Sequence, residues 1–429
     1  IAITSYLLAV AMFVPLSGWA ADRIGARQVF SAAMLIFTLS SVGCALASSL
    51  PHLVVGRAVQ GLAGAMMVPV GRVILLRSVP KSELVQAMSF LSVPALLGPV
   101  VGPPLGGFLV TYASWPWIFL INVPIGLLGI VLVHKFIPRV ADDLPRRPLD
   151  LIGFVLTSVS LVAIVSSFEA IGHKTLSYQA IVALLALGVL CAALYRWHAG
   201  RTPHPIVDLS LMKIPTFFIA NWGGNLCRFA IGATPFLLVM LLQVGFGLSA
   251  LAAGMITFAS AVGALLLKLV AVPVLRTFGF RRTLVSNAII TGFFVAVCAL
   301  FTPQTPYWLM LLVLLLGGFF RSLQLTAVNT LTYADVPQEL MSRASGLAAM
   351  AQQVGISLGV GVAAVSLNLS MAWRGAEELA VRDVAVGFIV IGVLVSLSAF
   401  SFRRLSPHAG DEVSGKHRRE REKPEDAPT

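Results

Sequence analysis

Charge is what this 429-residue chain has least of: only 11% of its residues are Asp, Glu, Lys or Arg, and the acids, at 18, are outnumbered by 30 Lys and Arg. An ordinary soluble domain carries about 25% charged residues, so this chain cannot coat a water-facing surface. Cysteine is also sparse. Cys44, Cys191, Cys227 and Cys298 all lie inside apolar stretches without metal-ligand spacing, which reads as small apolar filler and gives no metal site. The seven histidines are scattered. No carboxylate pair, Ser-His-Asp order or Gly-rich phosphate loop occurs in a workable context, so nothing points to an enzyme or a cofactor. There is no recognisable signal peptide. The net charge of +12 could suggest nucleic acid. No basic groove with interleaved aromatics can form in so apolar a chain, however, and the basic residues read better as topology anchors.

Hydrophobic residues, in contrast, make up 58% of the chain, and mean hydropathy is +0.91. About thirteen long apolar stretches follow one another, at roughly 1–20, 29–48, 53–75, 85–111, 117–137, 150–168, 178–197, 216–241, 249–273, 283–302, 306–330, 344–369 and 384–402. About 20 apolar residues cross the ~30 Å hydrocarbon core as a helix. Only helices or closed barrels satisfy their backbone there, so the expected fold class is all-α integral membrane.

The cations choose alternate connections. Arg23 and Arg27 follow the first span, Arg77 and Lys81 the third, and Lys135, Arg139, Arg146 and Arg147 the fifth. Arg196, Arg201 and Lys213 follow the seventh, Arg276, Arg281 and Arg282 the ninth, and Arg343 the eleventh. Arg403, Arg404 and further cations lie in the tail, while the other connections hold only Lys174, Arg374 and Arg382. Basic loops stay in the cytoplasm, so the carboxyl terminus is expected inside and Ile1 outside. With an odd number of spans, this predicts one further helix before Ile1, fourteen in all.

The chain divides into an amino-terminal bundle over 1–137 (five of six helices), linkers and an inserted helix pair over 138–215, and a six-helix carboxyl-terminal bundle over 216–404. A disordered cytoplasmic tail over 405–429 follows, rich in Arg, Glu and Pro. The outer blocks echo each other: 22–28 reads DRIGARQ and 276–282 reads RTFGFRR, so that Gly25 matches Gly279 and Arg27 matches Arg281. Repeated bundles with a substrate site between them are a common transporter plan.

Three motifs stand out. In Gly18-Trp-Ala-Ala-Asp22-Arg23-Ile-Gly25-Ala-Arg27, Gly25 permits a tight reversal and Asp22 is an anion among cations at a membrane edge. It reads as a conformational latch or as an ordinary polar turn. Arg57-Ala-Val-Gln60-Gly61 puts a charge roughly two turns inside the third span. That costs on the order of 2.5–3.5 kcal/mol at a helix centre unless it finds a polar interior or snorkels. Gly61 and Gly64 permit close helix approach. In Gly98-Pro99-Val-Val-Gly102-Pro103-Pro104-Leu-Gly106-Gly107, three glycines recur every four residues on one face, suited to tight packing, and three prolines bend the helix.

These strings resemble signatures of the major facilitator superfamily: the loop signature at 18–27, RxxQG at 57–61 and the antiporter signature at 98–107. Tyr112–Gly126, Asp150–Gly153, Asn225–Arg228 and 242–247 look like its fourteen-helix drug–proton antiporter branch, of the bacterial multidrug exporter type. Pro116 departs from the His or Arg common in that branch. The resemblance implies two pseudo-symmetric helix bundles plus an inserted pair. It implies latch roles for Gly18, Asp22, Arg23, Gly25 and Arg27, and proton coupling by Arg57, Gln60 and Gly61. The helix carrying Gly98, Pro99, Gly102, Pro103, Gly106 and Gly107 would serve as the antiporter pivot.

Within spans, Arg72 and Lys268 lie near inner ends and are read as snorkelling, while Arg228 and Arg321 lie near span centres. With Asn225, Gln324 and Asn329 they are the candidate substrate cavity, and Arg57, Arg228 and Arg321 are expected to point into one watery chamber. No mid-membrane carboxylate is evident; Glu169 marks the outer end of the sixth span. The relay acid would then lie on the absent first helix, or the substrate would be anionic or neutral. The resulting expectation is a monomeric inner-membrane efflux antiporter of amphipathic organic compounds. Its partners are a small-molecule substrate, protons and the lipid bilayer, with no nucleic acid, no metal and no cofactor; a periplasmic adaptor is left open. A dedicated transporter of one organic-acid-like metabolite is the alternative, and a membrane sensor a remote one.

Overall fold

The computed structural model describes residues 2–137, 147–173, 176–376 and 378–414. Among them there is no strand. Helices α1 (Ala2–Phe13), α2 (Leu16–Ile24), α3 (Ala26–Ala45), α4 (Leu50–Ser78), α5 (Leu84–Tyr112), α6 (Trp117–Leu120) and α7 (Asn122–Phe136) come first. The inserted pair is α8 (Leu151–His173) and α9 (Tyr178–Ala199). Then follow α10 (Pro215–Val239), α11 (Ala250–Val297), α12 (Tyr307–Leu331), α13 (Met341–Arg374), α14 (Val381–Phe402) and the short α15 (Asp411–Ser414).

Local chemistry sets the ends and bends. Ser49, Ser177 and Ser249 accept hydrogen bonds from the first turns of α4, α9 and α11. Pro15, which cannot donate to the helical ladder, separates α1 from α2, and the two are bent by 58°. Helix α11 runs 48 residues. That is about 72 Å, more than twice one bilayer crossing. It is two crossings joined at Gly279, whose φ of 73° and ψ of 166° break the helix. The sequence echo is thus a backbone echo, because Gly25 also takes a positive φ of 99° at the α2–α3 hinge.

Helices α1 to α4, α6 and α7 pack among themselves, mainly through α3–α4, α1–α4 and α3–α7; α10 to α14 form the second bundle. Helix α8 packs on α9, α13 and α1, and so touches both bundles. Small residues let backbones meet: a Cβ on Gly263 would fall on the Leu315 carbonyl, and one on Gly318 on the Ser260 carbonyl, where α11 crosses α12.

The basic ends of the helices gather at one pole. Trp19 Nε1 donates to the Arg147 carbonyl (3.2 Å), Arg27 to the His134 carbonyl (2.9 Å) and Thr216 to Asp335 (2.7 Å). At this pole the bundles close on one another. Arg72 Nη1 donates to the Tyr333 hydroxyl (3.1 Å), Arg77 to Ser342 (3.0 Å) and Ser345 to the Pro69 carbonyl (2.9 Å). An apolar seal of Leu76, Leu84, Val85 and Met88 against Tyr333, Val336 and Met341 surrounds these contacts.

Two expectations change. The chain beyond Ser406 is ordered at first: Leu405, Ala409 and Val413 are buried against the same apolar seal, because apolar residues recur every four positions there. Residues 415–429 lie outside the described residues. The glycine face of α5 also differs: a Cβ on Gly98, Gly102 or Gly106 would meet nothing within 4 Å. The tight packing expected of that face is not made in this conformation, in which α5 instead meets α11 and α12 of the other bundle. The side chains of Pro99 and Pro103 and the surroundings of Gly107 lie outside the described residues.

Candidate functional site

The hinge motif crosses the seam. Asp22, near the end of α2, lies 3.4 Å from Arg77 of its own bundle and 3.8 Å from Arg343 at the start of α13. Arg343 also bonds Asp208, in the linker before α10, at 3.1 Å. Asp22 is therefore one corner of a charge cluster that ties both bundles and the linker. Gly18 makes the approach possible, since a Cβ there would sit 2.8 Å from the Ser342 carbonyl oxygen. Arg23 donates to the Arg147 carbonyl at 3.0 Å, beside a cavity of about 170 Å³ lined by Trp19, Asp22, Asp150 and Arg343.

Burial alone would raise the Asp208 carboxyl, but hydrogen bonds from Ser210 and Arg343, with the Arg343 charge, outweigh it and hold the group below the usual carboxylate range. A depressed folded-state value contributes stability that is present above the unfolded value of about 3.9 and is lost as pH falls through the folded value. Asp208→Asn is therefore expected to lower the thermal midpoint at neutral pH. The gap from the parent protein should narrow below about pH 4, as read by melting curves across pH in detergent.

Arg57 and Gln60 form a second cluster inside the first bundle. Arg57 Nη1 donates to Gln60 Oε1 (2.8 Å), its Nε to the Ala2 carbonyl (3.1 Å), and its guanidinium lies 4.5 Å from the Tyr6 ring centre. Gln60, fully buried, donates onward to Ser41 (2.6 Å). A Cβ on Gly61 would meet Ala9 at 2.6 Å, which is the close helix approach expected of it. Arg57 is thus the half-buried end of a buried polar chain.

The expected carboxyl-half cavity divides into separate environments. Arg228 donates to Asn225 (3.0 Å) and is 1% exposed. Gln324 belongs to a buried network between helices: it accepts from Asn287 (2.8 Å) and donates toward Cys227 (3.5 Å). Arg321 donates to Ser260 (2.9 Å), between α12 and α11. Asn329 is half-buried farther along α12. Arg57, Arg228 and Arg321 each find hydrogen-bond acceptors within their own bundle.

Arg72 and Lys268, read from the sequence as snorkelling, both make interhelical contacts, and Asp383 has a role not assigned from the sequence. Arg72 does not snorkel but is buried against Tyr333 of the opposite bundle. Lys268 Nζ donates to Thr326 (2.7 Å) across the α11–α12 interface. Asp383, fully buried at the start of α14, holds Arg374 through both carboxylate oxygens and accepts from Ser370 (2.7 Å). That pair explains why Arg374 departs from the charge pattern. The signal was present as an acid three residues after a helix start, where it caps the first turn.

Comparison with known proteins places this geometry. A family model described as Major Facilitator Superfamily matches residues 1–143 and 220–425. The protein named "Putative multidrug resistance protein MdtD" of Pectobacterium atrosepticum is 37% identical over 409 residues, 94% of this chain and 87% of that protein. Its namesake in Salmonella paratyphi A is 36% identical over 94% of this chain and 86% of its own length. Among solved structures, the human organic anion transporter MFSD10 (TETRAN) aligns with a TM-score of 0.64 at 16% identity, over 94% of this chain and 83% of that one. The proton:xylose symporter XylE aligns with 0.63 at 16% identity, over 96% and 88%. The solved structures share the fold. The family match and the close relatives establish descent: this chain belongs to the major facilitator superfamily of membrane transporters.

Proposed function

We propose that the chain is a proton-coupled efflux antiporter of the multidrug type, which exports amphipathic organic compounds by rocking its two bundles. One observation carries the reading: the bundles close at the basic pole through contacts between opposite halves, with Asp22 between Arg77 and Arg343 and a positive-φ glycine hinge in each half. Contacts of this kind, broken and remade, define a two-state element. The basic pole is cytoplasmic, so the closed state faces outward. Asp22, with Gly18, Arg23, Gly25 and Arg27, latches that state, and α5 with its open glycine face is the pivot. The relatives' names, which specify multidrug resistance, support efflux. Each proton entering down a 100 mV potential supplies about 2.3 kcal/mol.

Ethidium, a lipophilic aromatic cation, tests the reading. Everted vesicles should accumulate it when a proton gradient is imposed and release it when the gradient is collapsed; uptake indifferent to the gradient would refute coupling. Arg57→Ala should cut gradient-driven uptake by at least about tenfold. The fold should survive, since losing one charged hydrogen-bond partner costs only about 1–3 kcal/mol. Unimpaired uptake in that variant would remove Arg57 from the coupling path.

A further inference from the structure

Arg72 and Arg228 form an arrangement that the latch, the coupling cluster and the pivot do not use. Arg72 comes from α4 in the first bundle and Arg228 from α10 in the second. They are only 7% and 1% exposed. Arg72 spends Nη1 on the Tyr333 hydroxyl at 3.1 Å, and Arg228 spends Nη1 on Asn225 at 3.0 Å. The Nε of each is buried without a hydrogen-bond partner. Tyr333, fully buried, lies with Arg72 within electrostatic reach of Arg228. Among the described residues no carboxylate pairs with either arginine. Two cations from opposite bundles therefore lie within electrostatic reach of each other in membrane-spanning helices, each with a buried Nε to spare.

Such a pair is unfavourable for the closed state by itself, through desolvation and like-charge repulsion. An anion held between the two would remove both penalties. A guanidinium is the donor best suited to a planar or tetrahedral oxyanion, because its fork makes two parallel charge-assisted bonds. We propose that Arg72, Arg228 and Tyr333 form an oxyanion site at the seam, which takes the carboxylate, sulfonate or phosphate group of an amphipathic compound and promotes closure of the basic pole over it. When the seam parts, α4 and α10 separate and the site opens toward the basic pole. Assigning the site to a transported compound rests on the export reading above; the site itself does not.

The shared chemistry could come from a substrate or from an anionic phospholipid headgroup, and the test separates them. The full chain is reconstituted in phosphatidylcholine, and its thermal midpoint is followed as naphthoate is added, with the uncharged methyl naphthoate ester as the control. Phosphatidylglycerol replaces part of the lipid in a parallel arm. Naphthoate should raise the midpoint saturably and the ester should not. Arg72→Gln and Arg228→Gln should each weaken that effect by at least about tenfold, while Arg228→Lys keeps part of it. Because each glutamine removes an unpaired buried charge, both variants should melt no lower than the parent without ligand. A structural role for the arginines would instead lower the ligand-free midpoint. An arginine-dependent shift with phosphatidylglycerol alone would identify the lipid headgroup as the occupant and support the oxyanion site. No shift with either anion, an equal shift with the ester, or unchanged binding in both variants would overturn it. Arginine-dependent naphthoate binding in a protein that moves no compound across vesicles would keep the site and refute the export reading.

Discussion

Asp22→Asn is expected to shift the protein away from the closed seam by about fivefold and to reduce transport accordingly. Asp22 is approached by both Arg77 and Arg343, at 3.4 and 3.8 Å. The contact that crosses the seam, Asp22 to Arg343, is a partly exposed ion pair at 3.8 Å, worth about 1 kcal/mol, and about 1.4 kcal/mol is tenfold in population. The loss falls on one conformation only, because Arg343 reaches Asp22 only when the bundles meet. Leu347, 7% exposed in the seal, reports the shift when changed to Cys in a chain whose four native cysteines are replaced. An impermeant maleimide applied from the basic pole should label Leu347→Cys slowly in the parent and much faster with Asp22→Asn. Equal labelling would mean that Asp22 is an ordinary turn residue and that the apolar seal alone holds the seam.

The largest loss of stability is expected at the opposite pole. Arg374→Ala leaves Asp383, 0% exposed, with Ser370 and the Ala380 N–H but no countercharge. Removing one side of this charge-assisted, hydrogen-bonded pair costs about 1.5–3 kcal/mol, mostly for the charge left behind. Thermal unfolding in detergent should show a clear drop for Arg374→Ala, and the double variant Arg374→Ala/Asp383→Asn should recover a good part of it through coupling. Lys81→Ala serves as the control. Its partner Glu412 and Lys81 itself expose 69% and 41% of their side chains, so that pair should contribute only about 0–1 kcal/mol. A drop for Lys81→Ala equal to that for Arg374→Ala would refute the burial argument.

These two predictions show how unevenly the sequence could be read. Arg374 is conspicuous because it breaks the charge pattern, and Asp383 is close enough in sequence for the pair to be found. Asp22 is conspicuous too, but its partners Arg343 and Asp208 belong to other helices and a linker. Nothing in the spacing of residues around Asp22 names them. Arg72 illustrates the converse error. Its position near a span end fits snorkelling, and only the placement of Tyr333 from the other bundle shows that it is enclosed. Gln324 is a candidate for the substrate cavity beside Arg228 and Arg321 from its place in a span; between packed helices it bonds Asn287 and Cys227.

The amino-acid sequence by itself determined the solvent, the helical class, the approximate spans and the paired hinges at Gly25 and Gly279. Those depend on properties local to the chain: the length of an apolar run, the side on which cations fall, and the backbone freedom of glycine. Which charges meet was decided only by the tertiary structure, since partners for Asp22 and Arg72 are chosen by how helices distant in sequence cross. The same holds for the ordered stretch at 405–414 and the open glycine face of α5, whose surroundings are set by packing between elements and not by their own composition.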